Sequence, residues 1–150
     1  MIRGVSFEIP QTMSDALWGI LEHLNVAKYC WYNIESQTEV WAEHEGDFFN
    51  KGCYDGESFS KCIRSPHYIV FLKLQAYLSE GKFYDIHTYD EFLQSDCKIL
   101  LLVYDCAFVE IYLKDQDVAN IIYQSAEAAR FKAVQYITKT NDLRVKMDVR

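Results

Sequence analysis

The residues best equipped for chemistry lie between Trp31 and His67. His44, Cys53, Cys62 and His67 are metal-ligand types, and Glu43, Glu45, Asp47 and Asp55 stand among them. A structural zinc site shows a close ligand pair. Here the two cysteines are nine positions apart, with no C-x-x-C or H-x-x-x-H, so the spacing argues against a metal. His44, Asp47, Cys53, Asp55 and His67 are also the groups an enzyme or small-ligand protein would use, if at least two of them converge beside a cavity. Cys106, in the tight turn expected at Asp105-Cys106, is a separate candidate nucleophile. Its acidic neighbour opposes thiolate formation, and nothing local marks a base among His23, His44, His67 and His87, or an oxyanion donor. A buried structural thiol is the better reading. Glu110 is the one charge in an apolar strand, and a surface pairing with Lys98 across the hairpin is the plain alternative to a catalytic acid. The glycines form no G-x-G-x-x-G or P-loop pattern, and no G-x-S-x-G occurs. No catalytic residue, cofactor or metal is assigned.

A different feature carries more weight. Glu35, Glu39, Glu43, Glu45, Asp47, Asp55 and Glu57 face only Lys51 between positions 35 and 57. Trp31, Tyr32, Trp41, Phe48, Phe49 and Tyr54 are interleaved with them. Aromatic anchors ringed by charge are what a protein-binding hot spot needs, apolar burial for affinity and charge for steering. The residues this reading selects are Trp31, Glu39, Trp41, Glu43, Glu45, Asp47, Phe48, Phe49 and Tyr54. Strand alternation offers a competing account, with aromatics pointing inward and acids outward. At the other end, Arg130, Lys132, Lys139, Arg144, Lys146 and Arg150 outnumber Asp142 and Asp148. That basic face could blunt an edge strand, touch phosphates, or meet the acidic patch of a second copy.

The elements that position these groups follow from periodicity. Cys97–Leu113 reads as a central β-hairpin, two apolar runs around Asp105 and Cys106. Val5, Phe7 and Ile9 alternate in a first strand that Pro10 ends. Leu17, Ile20, Leu21 and Leu24 form a helical stripe that Ser14 can cap. Tyr29 to Ile34 is a strand, with Thr38 to Ala42 as its expected hairpin partner. The segment 43–56 is irregular and long for a plain loop. A short helix around Phe59, Cys62 and Ile63 precedes Pro66. His67 to Tyr77 is a strong strand with Tyr68, Val70, Leu72 and Leu74 on one side, and Glu80 and Gly81 make a turn. Thr88 and Glu91 have capping-box spacing. Asp115 or Asp117 caps a helix whose face is Val118, Ile121, Ile122, Ser125 and Ala129. Ala133 to Thr138 is a strand, Asn141 and Asp142 a turn, and Leu143, Val145, Met147 and Val149 a final alternating strand. Hairpins dominate, so the fold class is α+β: one domain, a mostly antiparallel sheet, helices packed on one face.

Composition sets outer limits. The 150 residues fit one domain, half of them hydrophobic, with a formal charge of −7. Nucleic-acid binding is disfavoured. No run approaches the length of a membrane helix, and no signal peptide opens the chain. Five cysteines without an export signal read as reduced thiols, so a cytoplasmic location is expected.

The strings RGVSFEIP, YIVFLKLQAY and FLQSDCKILLLVYDCAFVEIYLKD, with YIT-x-x-ND near the end, resemble a small family of uncharacterised proteins from Gram-positive bacilli, a domain of unknown function. The resemblance covers essentially the whole chain. It implies a cytoplasmic bacterial protein, and no activity, site residue or partner. The residues themselves point to a non-catalytic module that engages a basic protein, in the manner of an immunity or inhibitor protein. A small enzyme or ligand-binding protein with a pocket under 43–56, and a self-associating homo-oligomer, are the alternatives.

Overall fold

The structure is a computed structural model that describes residues 1–44, 46–79 and 83–150. In chain order the elements are β1 (Ile2–Glu8), α1 (Ala16–Leu21), β2 (Cys30–Asn33), β3 (Glu39–Ala42), β4 (Cys53–Tyr54), α2 (Gly56–Cys62), β5 (His67–Tyr77), α3 (Tyr89–Gln94), β6 (Ile99–Tyr104), β7 (Phe108–Leu113), α4 (Gln116–Ala128) and β8 (Lys132–Thr138). The turn expected at Glu80 and Gly81 lies outside the described residues.

The strands form one antiparallel sheet in the order β4-β2-β5-β6-β7-β1-β8, with β3 also on β5. The expected central hairpin is β6–β7. Its turn puts Asp105 at φ 50° and Cys106 at φ 65°, the left-handed pair that a tight hairpin favours. At Gly4 the sheet is crowded: a Cβ there would lie 2.0 Å from the Ile111 carbonyl oxygen, so only glycine fits.

Three expectations about the strands need correction. β3 is not the hairpin partner of β2. Both lie along the same edge of β5, β2 beside Leu74–Tyr77 and β3 beside His67–Phe71. β5 is also bulged: Glu39 and Val40 pair with Phe71 and Ile69, leaving Val70 as the extra residue. The bulge shifts the alternation, so Ile69 joins Leu72, Leu74 and Ala76 in the core while Tyr68 and Val70 are only half-buried. Finally, residues 143–150 form no strand. Leu143 and Val145 are 90% and 82% exposed, and Met147 is buried.

One sheet face carries α1, α2 and α4, whose Leu17, Ile20, Phe59, Ile122 and Ala126 pack with Val5, Leu74, Leu101 and Ile111. The buried face of α4 is Ala119, Ile122 and Ala126, and Ile121 of the expected stripe is 41% exposed. α3 lies on the opposite face, where Phe92 and Ile86 cover Leu100, Leu102 and Tyr112 together with Met147. Its cap is half the expected box. Thr88 Oγ1 accepts from Glu91 N, but the Glu91 carboxylate accepts from His87 N.

Polar bonds fasten this second cover. Lys73 is fully buried in the sheet, and its Nζ donates to Asp85 Oδ1 and the Ile86 carbonyl at 2.5 Å and to Asp148 Oδ1 at 3.3 Å. Arg144 donates to Glu110 and to the carbonyls of Lys146 and Asp148, so Glu110 pairs with Arg144 and not with Lys98. Gln37 Oε1 accepts from Val149 N and Arg150 N. Removing Lys73 leaves two facing carboxylates without their cation. Lys73→Met should destabilise the fold by about 3 kcal/mol in urea titration. Asp148→Asn should cost about 1 kcal/mol, because Lys73 keeps two acceptors.

α1 starts without help from its own first residues. Asp15, not Ser14, is the N-cap, and its side chain makes no capping bond. Instead His67 Nε2, from β5, accepts from Leu17 N at 3.0 Å, while Nδ1 donates to the Ser65 carbonyl at 2.8 Å. This requires a neutral ring. Burial holds the imidazole below its usual 6.5, partly opposed by the Ser65 bond and the Asp15 charge. The unfolded chain therefore takes up a proton near pH 6.5 that the folded chain refuses. The stability from this histidine is complete above that value and is lost as pH falls through it towards the folded pKa. Urea midpoints at pH 7.5 and pH 5.5 should differ in the native protein and differ less in His67→Gln, which keeps an acceptor but does not titrate.

Candidate functional site

The irregular segment after β3 is a return strand in all but length. Ala42 N donates to Gly46 O at 3.0 Å, and Phe48 N donates to Val40 O at 2.8 Å. Gly46 makes the reversal at φ +84°, which a side chain would strain. Neighbouring residues of β3 therefore look opposite ways. Val40 is buried in the helix-side core, and Trp41 is 51% exposed, its ring 5.9 Å from that of Tyr68.

Beneath this return lies a pocket of about 400 Å³. Val40 and Phe49 supply apolar wall, Glu35 and Asp47 carboxylates, and Asn33, Thr38 and Asn50 polar groups. Glu35, Asp47 and Asn50 are exposed, whereas Asn33 is 6% exposed and its Oδ1 has no hydrogen-bond partner. Neither Glu35 nor Asp47 has an ion-pair partner among the described residues. The pocket is thus rich in unspent acceptors.

The residues selected from sequence divide. Trp31, Phe49 and Tyr54 are core: Trp31 stacks on Phe59 at 4.7 Å and donates Nε1–H to Val26 O, and Phe49 and Tyr54 pack around the same ring. For these three, strand alternation wins. Phe48 is half-buried over the His67 ring at 4.5 Å. Trp41 stays exposed, with Glu39 half-buried and Glu43 and Asp47 exposed in the same segment. Glu39 has no ion-pair partner among the described residues, and Glu43 faces only His44, at 3.9 Å. Glu45 lies outside the described residues. Asn33 and Glu35 were absent from the selection. Glu35 stands among the seven acids noted above, and an asparagine inside an apolar strand such as YCWYNI is the signal that could have found Asn33.

The catalytic candidates do not converge. Only Asp47 among them lines the pocket. The His44 side chain is 93% exposed, Asp55 caps α2 through Ser58, and His67 holds α1. The Ser58 bonds keep the Asp55 carboxyl below its usual range. None of the five cysteines is in a disulfide, and burial pushes Cys62 up and Cys97 up to about 12, far from a reactive thiolate.

Two other polar places are occupied from within. Asp85, His87 and Asp148 are the one group of metal-type side chains that approach one another among the described residues, and Lys73 Nζ already sits on both carboxylates. A groove of about 410 Å³ on the same face is lined by Glu8, Tyr104, Gln135, Glu110 and Arg144, but its two central charges bond each other. Arg144 is thereby withdrawn from the basic face expected at the C-terminal end.

No helix among the described residues is long and apolar enough to cross a membrane. No solved structure matches the chain. The chain is similar to an uncharacterised protein, YncE, of Bacillus subtilis (strain 168), at 33% identity over 153 residues that cover 99% of this chain and 100% of that protein. Residues 2–148 match the model of a family described as a protein of unknown function, DUF2691. With a match over nearly its whole length, as the strings in β1, β5 and the β6–β7 hairpin led one to expect, the chain belongs to the DUF2691 family.

Proposed function

We propose that this is a non-catalytic binding protein that engages a basic protein through the surface around Trp41. The observation that carries the reading is Trp41 itself, a large aromatic half exposed on a short strand, in a segment where Glu39 and Asp47 have no ion-pair partner among the described residues. An exposed aromatic ringed by charge is the usual composition of an interface anchor. Glu39, Glu43 and Asp47 supply the steering charge, which adds to a net charge of −7. The setting is the cytoplasm.

A small-ligand role is the second reading, favoured by the pocket beneath 46–50. Of the catalytic candidates read from the sequence, only Asp47 lines it.

The test is capture on the immobilised protein from the native host at low and at high salt, with the captured protein identified by mass spectrometry and its affinity then measured on purified components. A basic protein should be retained at low salt and weakened at high salt. The triple variant Glu39→Lys, Glu43→Lys, Asp47→Lys should lose it. Trp41→Ala should loosen the complex by about 30-fold, the effect of a hot-spot residue, while leaving the urea midpoint nearly unchanged. A partner that binds both variants as well as the native protein would overturn this surface assignment.

A further inference from the structure

We infer that the pocket beneath β3 receives one cationic side chain, a lysine or arginine of the partner, with Asn33 as its buried acceptor. This rests on the reading of a basic partner and names the group that the partner inserts.

Asn33 is the last residue of β2, pairs with Leu74 of β5, and is 6% exposed. Its Oδ1 is the one buried side-chain polar atom without a partner among the described residues. Buried acceptors are almost always satisfied, so an orphan on the wall of a cavity marks a place where a donor arrives from outside. The cavity around it holds two carboxylates with no cation, Glu35 and Asp47. Its volume of about 400 Å³ lies in the range of small-ligand pockets, about 300–1,000 Å³.

The kind of donor follows from the acceptors. The same fold already holds one ammonium, and it does so with two carboxylates and one amide carbonyl: Asp85, Asp148 and the Ile86 oxygen around Lys73. The residues lining the pocket offer the same kinds of acceptor, the carboxylates of Glu35 and Asp47 and the amide oxygen of Asn33. A divalent metal fits less well. Glu35 and Asp47 join no cluster of three metal-type groups among the described residues. The walls decide the matter. Val40 and Phe49 would be wasted on an ion, but they suit the methylene stem of a long cationic side chain.

The test uses small probes on the purified full chain. N-acetyl-lysine methylamide and N-acetyl-arginine methylamide are titrated while the Asn33 side-chain amide is followed by NMR, with N-acetyl-norleucine methylamide and calcium chloride as controls. At least one cationic probe should shift that signal saturably, with a dissociation constant on the order of 1 mM. Which of the two binds more tightly identifies the side chain. Asn33→Leu, followed through Gly52 and Asn50 backbone signals, should weaken the probe about tenfold or more. Glu35→Gln with Asp47→Asn, both at exposed positions, should do so severalfold and guards against a leucine variant that fails to fold. Equal binding of the norleucine probe, a response to calcium alone, or no response to any probe would each overturn the inference. The fate of the partner reading is separable. A captured basic protein that is lost in the Glu39, Glu43, Asp47 triple variant but retained by Asn33→Leu would remove the pocket inference and leave the surface standing. Retention by both would remove both.

Discussion

The ammonium of Lys73 is the point on which the second half of the molecule depends. A lysine with no exposed surface must have its charge met inside the protein, because desolvation without partners would cost several kcal/mol. The groups that meet it come from two distant places. Asp85 and Ile86 precede α3, and Asp148 lies at the far end of the chain. The charge therefore dictates that both segments lie over the same sheet face. Apolar packing then follows, with Ile86, Phe92 and Met147 closing over Leu100, Leu102 and Tyr112. Without that cover the centre of the sheet would have one wet face, and its strands would read with the alternation of a half-exposed sheet. They do not: Ile99 to Val103 is buried at every position.

This explains what the sequence disclosed and what it concealed. The hairpin of β6 and β7, the span of β5, the caps at Thr88 and Asp115, and the antiparallel α+β class were legible, since each is written in local composition or in strict spacing. The Leu143–Val149 alternation was a false strand. Its period is real, but the chain turns at Asn141 and Asp142, whose N–H groups both bond the Thr138 carbonyl, and crosses over the sheet face. Arg144 is then drawn to Glu110, 34 residues away in sequence, which no local pattern announces. The β2–β3 pairing failed for a similar reason. An eleven-residue β5 offers one edge long enough for two four-residue strands end to end, so both short strands prefer it to each other. The bulge at Val70 allows this by re-aiming the strand between the two.

The candidate site was half legible. The concentration of acids and aromatics stands out in the sequence, but composition does not say which aromatics are needed inside. Trp31, Phe49, Tyr54 and Phe59 form one cluster of stacked and edge-on rings, and that cluster anchors α2 to the sheet. What remains outside is Trp41, one position after a buried valine. A sequence reader can assign opposite sides to neighbours in a strand, yet cannot tell which side is the core when both Val40 and Trp41 are apolar.

The unmet oxygen of Asn33 is the observation on which the proposed cation pocket rests. A buried acceptor without a donor costs on the order of 1–3 kcal/mol, a sizeable share of the 5–15 kcal/mol that holds a domain together. Trp31, two residues before on the same strand face, and Val40 and Phe49 in the cavity wall are apolar, while the cavity's carboxylates, Glu35 and Asp47, have no ion-pair partner among the described residues. Either deficit alone has an ordinary explanation, since single exposed acids are common and an amide can sit in a strained spot. Both at one cavity, with apolar walls between them, are what the proposal of a cationic side chain with a hydrocarbon stem rests on.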